Sequence, residues 1–500
     1  MLVGVGQVRN RPGPDGPFDP REPAELAARA VRAAAADAGH PELVAEADAV
    51  AWVPSVSWPT DEPEARLAER LGRPIPPTRI PVAPGGDAPA TALIEIANRI
   101  AEGEVRIAIL AGGEALHSVR RAVAEGRSLD DWAPRTSDIR KILGDQKPFS
   151  SPFERRHHIH APIHMYPLLE NAIRARAGRS VDAHQRHMAR ILERYSEVAE
   201  RNPISWFAGE RRTREDLLRV DERNRWICFP YPKLMNAIIE VDQAAAVIAM
   251  AEAEADRLGI APERRVRFLG GARAVEGWSA VERWDLASSP AYRAAAEAAC
   301  KHAGVSADRV DRFDLYSCFP SAVELALGAL GLDVEDPRGF TTTGGLAHHG
   351  GPGNNYTTHA LCNMTAVLRG SAGVGWVSGL GMCAAKHAIC VLGSDPEGLR
   401  AADGRGSEVG LAPAEREGPP LVERPSGPAR VESYTVIFDR VNRPVHAVFV
   451  IRLQDGARSL AVAEAASFPV LRLIREEGVG LVGRVEPGHG EAPNRFRLAD

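Results

Sequence analysis

Cysteine is absent from the first 227 residues, and none of the six cysteines further along belongs to a C-x-x-C pair. The missing pairs argue against a zinc ribbon and against a thioredoxin-type redox site. No segment approaches eighteen uninterrupted apolar residues, and residues 1–10 lack the charged start and the cleavage site of a signal peptide. We therefore expect a cytoplasmic protein with reduced thiols and no membrane partner.

A strong charge imbalance is also lacking. The formal net charge of the 500 residues is −5, which gives no reason to expect a nucleic acid as the partner. The hydrophobic share of 44% and the charged share of 25% are those of a globular protein, and the length allows two to four domains. Composition therefore indicates a globular protein, and its activity has to be inferred from the motifs.

The most conspicuous motif is residues 344–356, G-G-L-A-H-H-G-G-P-G-N-N-Y, with five glycines and one proline. Such a stretch is excluded from a helix interior and from a central strand. Apolar residues at helical spacing follow it, and Gly370 supplies a stop. A glycine-rich loop that opens onto a helix lets a ligand approach backbone N–H groups at the positive helix end. The alternative is a tight connection that only packs a helix against a sheet.

Strands and helices alternate in the first part of the chain. The predicted strands are residues 3–8, 47–53, 79–83 and 105–111, and the predicted helices are residues 22–38, 63–71 and 90–101. This alternation predicts a parallel or mixed α/β sheet. Residues 116–235 are rich in Arg, His and Pro, and we interpret them as an insertion that crosses the top of the sheet. Residues 242–258 form either a helix or a strand followed by a helix.

The same order of elements then begins again. Strands are predicted at residues 266–270, 312–316, 373–378 and 387–392, and helices at 291–303, 321–330 and after the glycine-rich loop. Two halves with the same order, each with a glycine turn before a helix, indicate an internal duplication. We place the first half at residues 1–258 and the second at 259–393.

The last hundred residues differ in kind. Residues 394–428 are rich in Gly, Pro and Glu and are predicted to be a linker. Short strands follow at residues 430–438, 445–453, 459–462, 481–485 and 496–498. Four to five strands with few helices predict a small β-barrel of the OB type over residues 429–500.

Five short stretches, in this order, resemble the thiolase superfamily over roughly residues 1–393, on the branch near the sterol-carrier-type thiolases. They are Ala-Gly-Gly-Glu at 111–114, Asp-Gln-Ala-Ala-Ala at 242–246, Ser-Cys-Phe at 317–319, Gly-Gly at 344–345 and Gly-Leu-Gly at 379–381. The resemblance implies a duplicated α/β fold, a five-layer αβαβα sandwich with acyl-CoA bound at its centre. The barrel resembles the OB-fold domain that accompanies thiolase-like aldolases as a separate chain, here fused and without a zinc ribbon. We expect it to gate or dock acyl-CoA rather than bind nucleic acid.

The catalytic positions that the resemblance implies are all altered. The nucleophilic cysteine of the family falls at about Gly86, in P-G-G-D-A-P. The family's Gly-His-Pro aligns with residues 350–352, where glycine replaces histidine, and its Cys-x-Gly turn aligns with residues 379–381, which lack cysteine. Removing a nucleophile normally costs orders of magnitude in rate, so ordinary thiolysis through an acyl-enzyme is not expected.

Other polar residues remain near these positions. These residues also have a structural interpretation, in which Cys318 is a buried thiol and Tyr316 is a packed tyrosine. In the same interpretation, Asn354 and Asn355 belong to a tight turn. His348 and His349 lie two or three residues before the position of the family's histidine. The candidates for catalysis are Tyr316, Cys318, His348, His349 and Tyr356. The candidates for binding the thioester are Gly86, Asp87, Gly344, Gly345, Gly351, Asn354, Asn355 and Gly381.

Histidines at positions 157, 158, 160 and 164 invite a metal interpretation. They lack the helical i, i+4 pair with an acidic partner that a zinc site of the His-Glu type uses, so we expect no metal there. No permanently bound cofactor is expected, and a coenzyme A thioester is the expected substrate or ligand. The family pairs through its sheets, which makes a homodimer through the core an expectation that the fused domain leaves open.

Two functions follow from the resemblance. The first is an enzyme that acts on a CoA thioester without a cysteine nucleophile, either an acyltransferase of the acetyl-CoA acetyltransferase type or a carbon–carbon lyase of the retro-aldolase type. The second is a non-catalytic protein that binds acyl-CoA or serves as a scaffold. Turnover of a β-hydroxyacyl-CoA distinguishes them.

Overall fold

The computed structural model describes residues 1–13, 16, 19–138, 147–394, 402–465 and 469–498. The first half contributes strands and helices in the predicted alternation. In chain order they are β1 (Leu2–Arg9), α1 (Pro23–Asp37), α2 (Leu43–Glu46), β2 (Ala49–Val53), α3 (Pro63–Leu71), β3 (Thr78–Arg79), α4 (Ala88–Glu102), β4 (Ile107–Ala115) and α5 (Leu116–Glu125).

The insertion and the end of the first half follow. They contain α6 (Pro152–Arg156), α7 (Pro162–Arg176), α8 (Val181–Arg201), α9 (Arg214–Leu218), β5 (Trp226–Cys228), β6 (Tyr231–Pro232), β7 (Asp242–Met250) and α10 (Glu252–Arg257). Of the two alternatives for residues 242–258, the strand followed by a helix is therefore the right one. That residues 116–235 cross the top of the sheet stays a prediction.

The second half repeats the plan of the first. Its elements are β8 (Arg267–Val275), α11 (Pro290–Ala303), β9 (Arg312–Asp314), α12 (Pro320–Leu330), α13 (Tyr356–Gly370), β10 (Val374–Gly381) and β11 (Lys386–Gly393). The strand predicted at 312–316 ends two residues early, because the chain leaves the sheet there and turns into α12 at Pro320.

Two sheets form the centre of the protein. In the described residues the first sheet has the order β1-β7-β4-β2-β3, and β8, β11, β10 and β9 of the second follow one another in the same manner. In the first sheet, β4 pairs with β2 in parallel and with β7 antiparallel, and β7 also pairs antiparallel with β1; every residue of β4 and β7 is buried. Strands covered on both faces read as continuous apolar runs, as these do.

Helices complete the layers. Helix α1 covers the outer face of the first sheet, and α11 covers the outer face of the second. Helices α4 and α13 lie between the sheets, because each contacts strands of both. Helix α4 presents Leu93, Ile94 and Ile96 to this core and ends at Gly103, whose φ of 76° is a left-handed cap suited to glycine. The predicted five-layer sandwich is confirmed.

The remaining elements are β12 (Gly406–Val409), α14 (Pro413–Arg416), β13 (Gly427–Phe438), β14 (Pro444–Leu453), β15 (Arg458–Glu464), α15 (Val470–Leu473), β16 (Val482–Glu486) and β17 (Arg495–Leu498). Strands β13 to β17 close into a barrel, because β14 pairs with β13 as well as with β15. The predicted small barrel is confirmed.

The stretch predicted as a linker, residues 394–428, is partly structured. Residues 395–401 lie outside the described residues. Further on, β12 pairs in parallel with β8 and extends the edge of the second sheet, which differs from an exposed linker. The four residues of β12, G-S-E-V, are too few to be predicted as a strand within a Gly- and Glu-rich sequence. None of the described helices has the length and apolar surface that crossing a bilayer requires.

Candidate functional site

A cavity of about 390 Å³ lies where α4 begins, and we call it the central cavity. Residues from both halves and from the insertion line it, among them Gly86, Tyr316 and Asn354. Its apolar walls include Tyr166 and Phe319, whose rings stack with centroids 4.4 Å apart. A largely apolar cavity with a few polar groups is the usual form of a small-molecule site.

Glycine at position 86 is required by the packing of the cavity. A Cβ atom built there would lie 2.2 Å from the hydroxyl oxygen of Tyr316 and 2.5 Å from the carbonyl oxygen of Leu380. Any side chain at this position would therefore collide with the tyrosine. Tyr316 occupies the space in which the resemblance places the nucleophilic cysteine.

The second cysteine position is Gly379, where a Cβ atom would lie 2.8 Å from the Cα atom of Asp87 and 3.0 Å from the Gly86 carbonyl oxygen. A Cβ atom on Gly381, the last glycine of the same turn, would lie 1.9 Å from Asp87 Oδ1 and 2.7 Å from the Cε atom of Lys386. Lys386 Nζ is 3.2 Å from Asp87 Oδ1 and donates a hydrogen bond to the Pro84 carbonyl at 2.7 Å. A buried ion pair thus lies at the start of α4, beside the last glycine of the turn at residues 379–381. Burial raises the pKa of Asp87, and Lys386 opposes that shift.

Tyr316 is held by its backbone and leaves its hydroxyl unpaired. Its N–H donates to Ser378 Oγ at 3.2 Å, and the side chain is 8% exposed. Across the described part of the chain, no hydrogen bond is made by the hydroxyl. Burial, and then the neighbouring Cys318 and Asp87, raise the pKa of the phenol well above its ordinary value. The hydroxyl is therefore protonated at neutral pH and available to donate to a ligand.

Cys318 lines the same cavity and is partly accessible from it. Burial raises the pKa of its thiol to about 12. Because the thiolate is the nucleophilic form, this cysteine is a weak nucleophile at neutral pH. The structural interpretation of Cys318 agrees with this environment.

The two asparagines connect loops. Asn354 Oδ1 accepts from the Gly85 N–H at 2.9 Å, and its Nδ2 donates to the Pro54 carbonyl at 2.8 Å. Asn355 Nδ2 donates to the Gly112 carbonyl at 2.7 Å. Their amides are thus engaged with backbone, which favours the structural alternative over direct contact with a thioester. Asn354 still lines the cavity with its side chain.

His348 and His349 do not line the central cavity. Both are buried, and His349 Nδ1 lies 3.1 Å from Ser205 Oγ. Burial lowers the pKa of each imidazole to about 3. They are neutral packing residues, and Gly350, which follows them, has a left-handed φ of 109°.

Tyr356 begins α13 and is completely buried. Its hydroxyl accepts from the Gly345 N–H at 3.1 Å, and its ring meets that of Tyr316 edge-on with centroids 5.6 Å apart. The tyrosine supports the back of Tyr316 without reaching the cavity. It is therefore a neighbour of the site rather than a residue that faces a ligand.

The other glycines of the second loop pack against the insertion. A Cβ atom on Gly344 would lie 2.5 Å from that of Ala199, and one on Gly345 would lie 2.4 Å from the Tyr195 ring. The Gly351 N–H donates to the Ile238 carbonyl at 2.8 Å. The backbone N–H groups of this loop are turned toward the protein and away from the cavity.

Sequence reasoning missed Tyr166 and Lys386. Tyr166 stands on α7 of the insertion, and its hydroxyl donates to the Met382 carbonyl and accepts from the Ala384 N–H, both at 3.2 Å. Neither residue belongs to a motif, although the run K-H-A-I-C starts β11 with a charge in an otherwise apolar strand. A lysine at the start of a buried strand is the sequence signal from which a buried ion pair could have been predicted.

The histidine run serves the contact between the insertion and the barrel. His158 stacks on His446 with centroids 4.0 Å apart, and His157 Nε2 accepts from the Asn494 N–H at 3.0 Å. His164 Nδ1 accepts from two backbone N–H groups at the start of α7. These contacts are packing and capping contacts.

Comparison with known proteins adds two findings. The family model for the additional C-terminal domain of type 1 thiolase-like proteins matches residues 414–489. The crystal structure of a monomeric SCP2-thiolase-like protein type 1 from Mycobacterium smegmatis is 29% identical, with a TM-score of 0.81, over 100% of this chain and 98% of that one. No curated protein is significantly similar in sequence.

Two more distant structures share the fold of the core. An Ltp2-ChsH2(DUF35) aldolase is 17% identical with a TM-score of 0.58, and an acetyl-CoA acetyltransferase from Syntrophomonas wolfei is 15% identical with a TM-score of 0.56. Each alignment covers 79% of this chain and 98% of the other. At this identity the likeness concerns the fold.

Proposed function

Because this chain is a thiolase-like protein with the type 1 additional C-terminal domain, we propose that it binds a coenzyme A thioester in the central cavity and acts on it without an acyl-enzyme. The observation that carries this proposal is the position of the Tyr316 hydroxyl, 2.2 Å from where a Cβ atom of residue 86 would stand. The Tyr316 hydroxyl, a hydrogen-bond donor, thus lies where the resemblance places a nucleophilic cysteine.

Covalent catalysis has no support in the cavity. A side chain at position 86 would collide with Tyr316, and the thiol that does line the cavity, Cys318, has its pKa raised to about 12. Attack on a thioester needs the thiolate, which is rare so far below that pKa. These features support the proposal that the thioester is bound non-covalently.

Tyr316 is suited to polarising a carbonyl. Its phenol is protonated at neutral pH, and it lies beside the start of α4, where the helix dipole favours negative charge. A donor aimed at a developing oxyanion contributes about 10²–10³-fold to a rate. The reaction that benefits is enolate formation at the thioester, as in carbon–carbon bond cleavage of a β-hydroxyacyl-CoA.

The second candidate is binding without turnover. Cleavage of a β-hydroxyacyl group also needs a base for the hydroxyl proton, and both Tyr316 and Cys318 hold their protons at neutral pH. Asp87 is paired with Lys386 beneath the helix start and does not line the cavity. This observation favours a non-catalytic protein that binds acyl-CoA or serves as a scaffold.

The test is calorimetric titration with acetyl-CoA, followed by turnover of acetoacetyl-CoA and of a β-hydroxyacyl-CoA. We expect binding by the wild type, no mass increase of one acetyl group on intact protein, and release of acetyl-CoA from the β-hydroxyacyl substrate. Tyr316→Phe should leave the affinity within about threefold and lower turnover by about 10²–10³-fold. Tyr356→Phe is the matched control, since that ring is adjacent but outside the cavity.

The outcomes separate the candidates. Binding without turnover selects the second candidate. Turnover that survives Tyr316→Phe removes the role of this tyrosine. An acetyl group that maps to one of the six cysteines and is lost when that cysteine is replaced overturns the non-covalent mechanism, and failure to bind any CoA thioester overturns the proposed function as a whole.

A further inference from the structure

Three side chains that can bind metal ions meet between α7, α8 and α12, away from the central cavity. They are Glu170, His184 and Glu324, one from each helix, and all are buried. One nitrogen or oxygen atom of each lies within 4.8 Å of the others. His184 Nε2 is 2.6 Å from Glu170 Oε1 and 3.7 Å from Glu324 Oε2. The three helices thus direct one ligand atom each to a shared point.

Each carboxylate has one oxygen held by neighbours and one that faces the shared point. Glu170 Oε2 accepts from the Tyr231 hydroxyl at 2.5 Å. Glu324 Oε1 accepts from Arg179 at 2.7 Å and lies 2.8 Å from His187 Nε2. Ligand carboxylates in metal sites are oriented by such outer hydrogen bonds.

A second observation points to a ligand at this place. Within the described part of the chain, the buried Oε2 atom of Glu324 has no hydrogen-bond partner, and its side chain is 6% exposed. A buried carboxylate oxygen without a partner is costly, and two carboxylates side by side add repulsion. A cation at the shared point would remove both costs at once.

We propose that Glu170, His184 and Glu324 bind one divalent transition-metal ion, with Zn²⁺ as the first ion to test. One imidazole and two carboxylates form a ligand set that zinc accepts, with protein ligands at about 2.0–2.2 Å and a fourth position left for water. Glu324 also lines a surface cavity of about 260 Å³, which gives water and the ion a route inward.

Binding requires two local adjustments. Ligands at about 2.0 Å in a tetrahedral site stand roughly 3.3 Å apart, so His184 and Glu170 must separate slightly. Coordination through Nε2 places the imidazole proton on Nδ1, which lies 3.2 Å from Arg179 Nη1. That contact then turns from attraction to repulsion, and Arg179 keeps only its bond to Glu324. These costs predict a moderate affinity.

The role of the ion follows from the three helices. Helix α7 also carries Tyr166, and α12 begins directly after Phe319, the two stacked rings in the wall of the central cavity. An ion that ties α7 and α8 of the insertion to α12 would fix that wall. The metal site does not depend on the thioester chemistry proposed above.

The experiment is elemental analysis of the full chain purified without chelator, then removal of metal and titration with Zn²⁺ and Co²⁺. We expect about one ion per chain, a Co²⁺ visible spectrum of a low-symmetry site, and an increase in melting temperature with Zn²⁺. Glu324→Gln and His184→Gln should each weaken Zn²⁺ binding at least about 100-fold, and Tyr231→Phe about 10- to 100-fold.

His302→Ala is the matched control, because His302 forms an exposed pair with Asp403, 2.7 Å apart. It should leave the stoichiometry, the spectrum and the melting shift unchanged. The proposal is overturned if metal-free protein takes up no stoichiometric Zn²⁺, or if Glu324→Gln, which is nearly the same shape and should fold, binds as tightly as the wild type. In that case the two carboxyl groups share a proton, and the stability of the chain falls with rising pH regardless of zinc.

Discussion

The two helices between the sheets have corresponding positions in the two halves, yet their preceding loops differ. Residues 84–87 lead into α4, and Pro84, Gly85 and Gly86 line the central cavity. Residues 344–355 lead into α13, and most of them are packed inside the protein, with His348 and His349 buried. The second loop reaches the cavity only at its end, through Gly353 and Asn354.

The two loops also differ in how they are stabilised. The first stands on a buried ion pair, Asp87 with Lys386, whereas the second contains neutral imidazoles whose pKa is lowered to about 3. The ion pair thus joins the two halves at the start of α4, and the second half also supplies Tyr356, which packs behind Tyr316. The two halves share the order of their elements, but the loops that precede α4 and α13 are stabilised by different interactions.

The largest expected effect is the loss of the ion pair. Lys386→Met leaves Asp87 buried without its cation, and removing one partner of a buried pair costs about 3–5 kcal/mol in the free energy of unfolding. The cost should be greatest at high pH, because a carboxyl group with a raised pKa can escape it by taking up a proton as the pH falls. Urea unfolding at two pH values measures this.

Asp87→Asn in the same background is the control. It removes the uncompensated charge and should restore most of the lost stability. If the single and double variants are equally unstable, the lysine acts through packing of its stem and not through its charge.

The next effect compares glycines of the two loops directly. Gly86→Ala should lower the free energy of unfolding by about 1–3 kcal/mol, because its methyl group collides with Tyr316. Gly351→Ala is the matched change in the second loop, where the nearest atom, Leu346 Cδ2, is 3.4 Å away. Thermal unfolding of both variants measures the difference. Equal stability of the two would contradict the close packing of residue 86.

A third effect is the response of the second loop to acid. The pKa of His349 in the folded state, about 3, is below its unfolded value of about 6.5, so its contribution is present above pH 6.5 and is lost as the pH falls toward 3. Between about pH 7.5 and 5 the loss amounts to roughly 2 kcal/mol. His349→Gln should remove that share of the acid destabilisation in urea unfolding.

Ser205→Ala tests the same position without removing the titrating group. It breaks the contact with His349 Nδ1 and should lower stability equally at both pH values. A pH slope that stays unchanged in His349→Gln would show that the imidazole is not buried in its neutral form.

The smallest effect separates the two neighbouring tyrosines. Tyr356→Phe removes the acceptor of a buried Gly345 N–H and should cost about 1 kcal/mol. The Tyr316 hydroxyl makes no hydrogen bond to any described residue, so Tyr316→Phe should change the free energy of unfolding by less than about 0.5 kcal/mol. Chemical unfolding of the pair measures this. A larger loss for Tyr316 than for Tyr356 would reverse their assignments.

Much of the fold could be predicted because it depends on local patterns. The continuous apolar run of β4, the helix of α4 with its glycine stop and the apolar runs of β14 and β15 are all readable in the sequence. The barrel followed from the order of such patterns, whereas the layered core was implied by the family resemblance. The strands β5, β6 and β12 have two to four residues each and are too short for this kind of prediction.

The site was harder to predict because it depends on distant pairs. The exclusion of a side chain at Gly86 comes from Tyr316, 230 positions away, and the ion pair joins residues 87 and 386. The sequence places Tyr316 at a strand end but does not say where its hydroxyl points. His348 and His349 were plausible by position alone, since their sequence neighbours do not show that both imidazoles are buried away from the cavity.

The backbone contacts between the insertion and the barrel show how closely these two parts of the protein depend on each other. Residues of the insertion enter the sheet of the barrel: Cys228 pairs with Ile437, the Phe229 N–H donates to the Val436 carbonyl, and Asn171 donates to the Tyr434 carbonyl. A barrel inherited or transferred without the insertion would expose a strand edge and unpaired backbone groups. The two pieces therefore form one structural unit, and a chimera that exchanges the barrel without the insertion should be less stable than one that exchanges both.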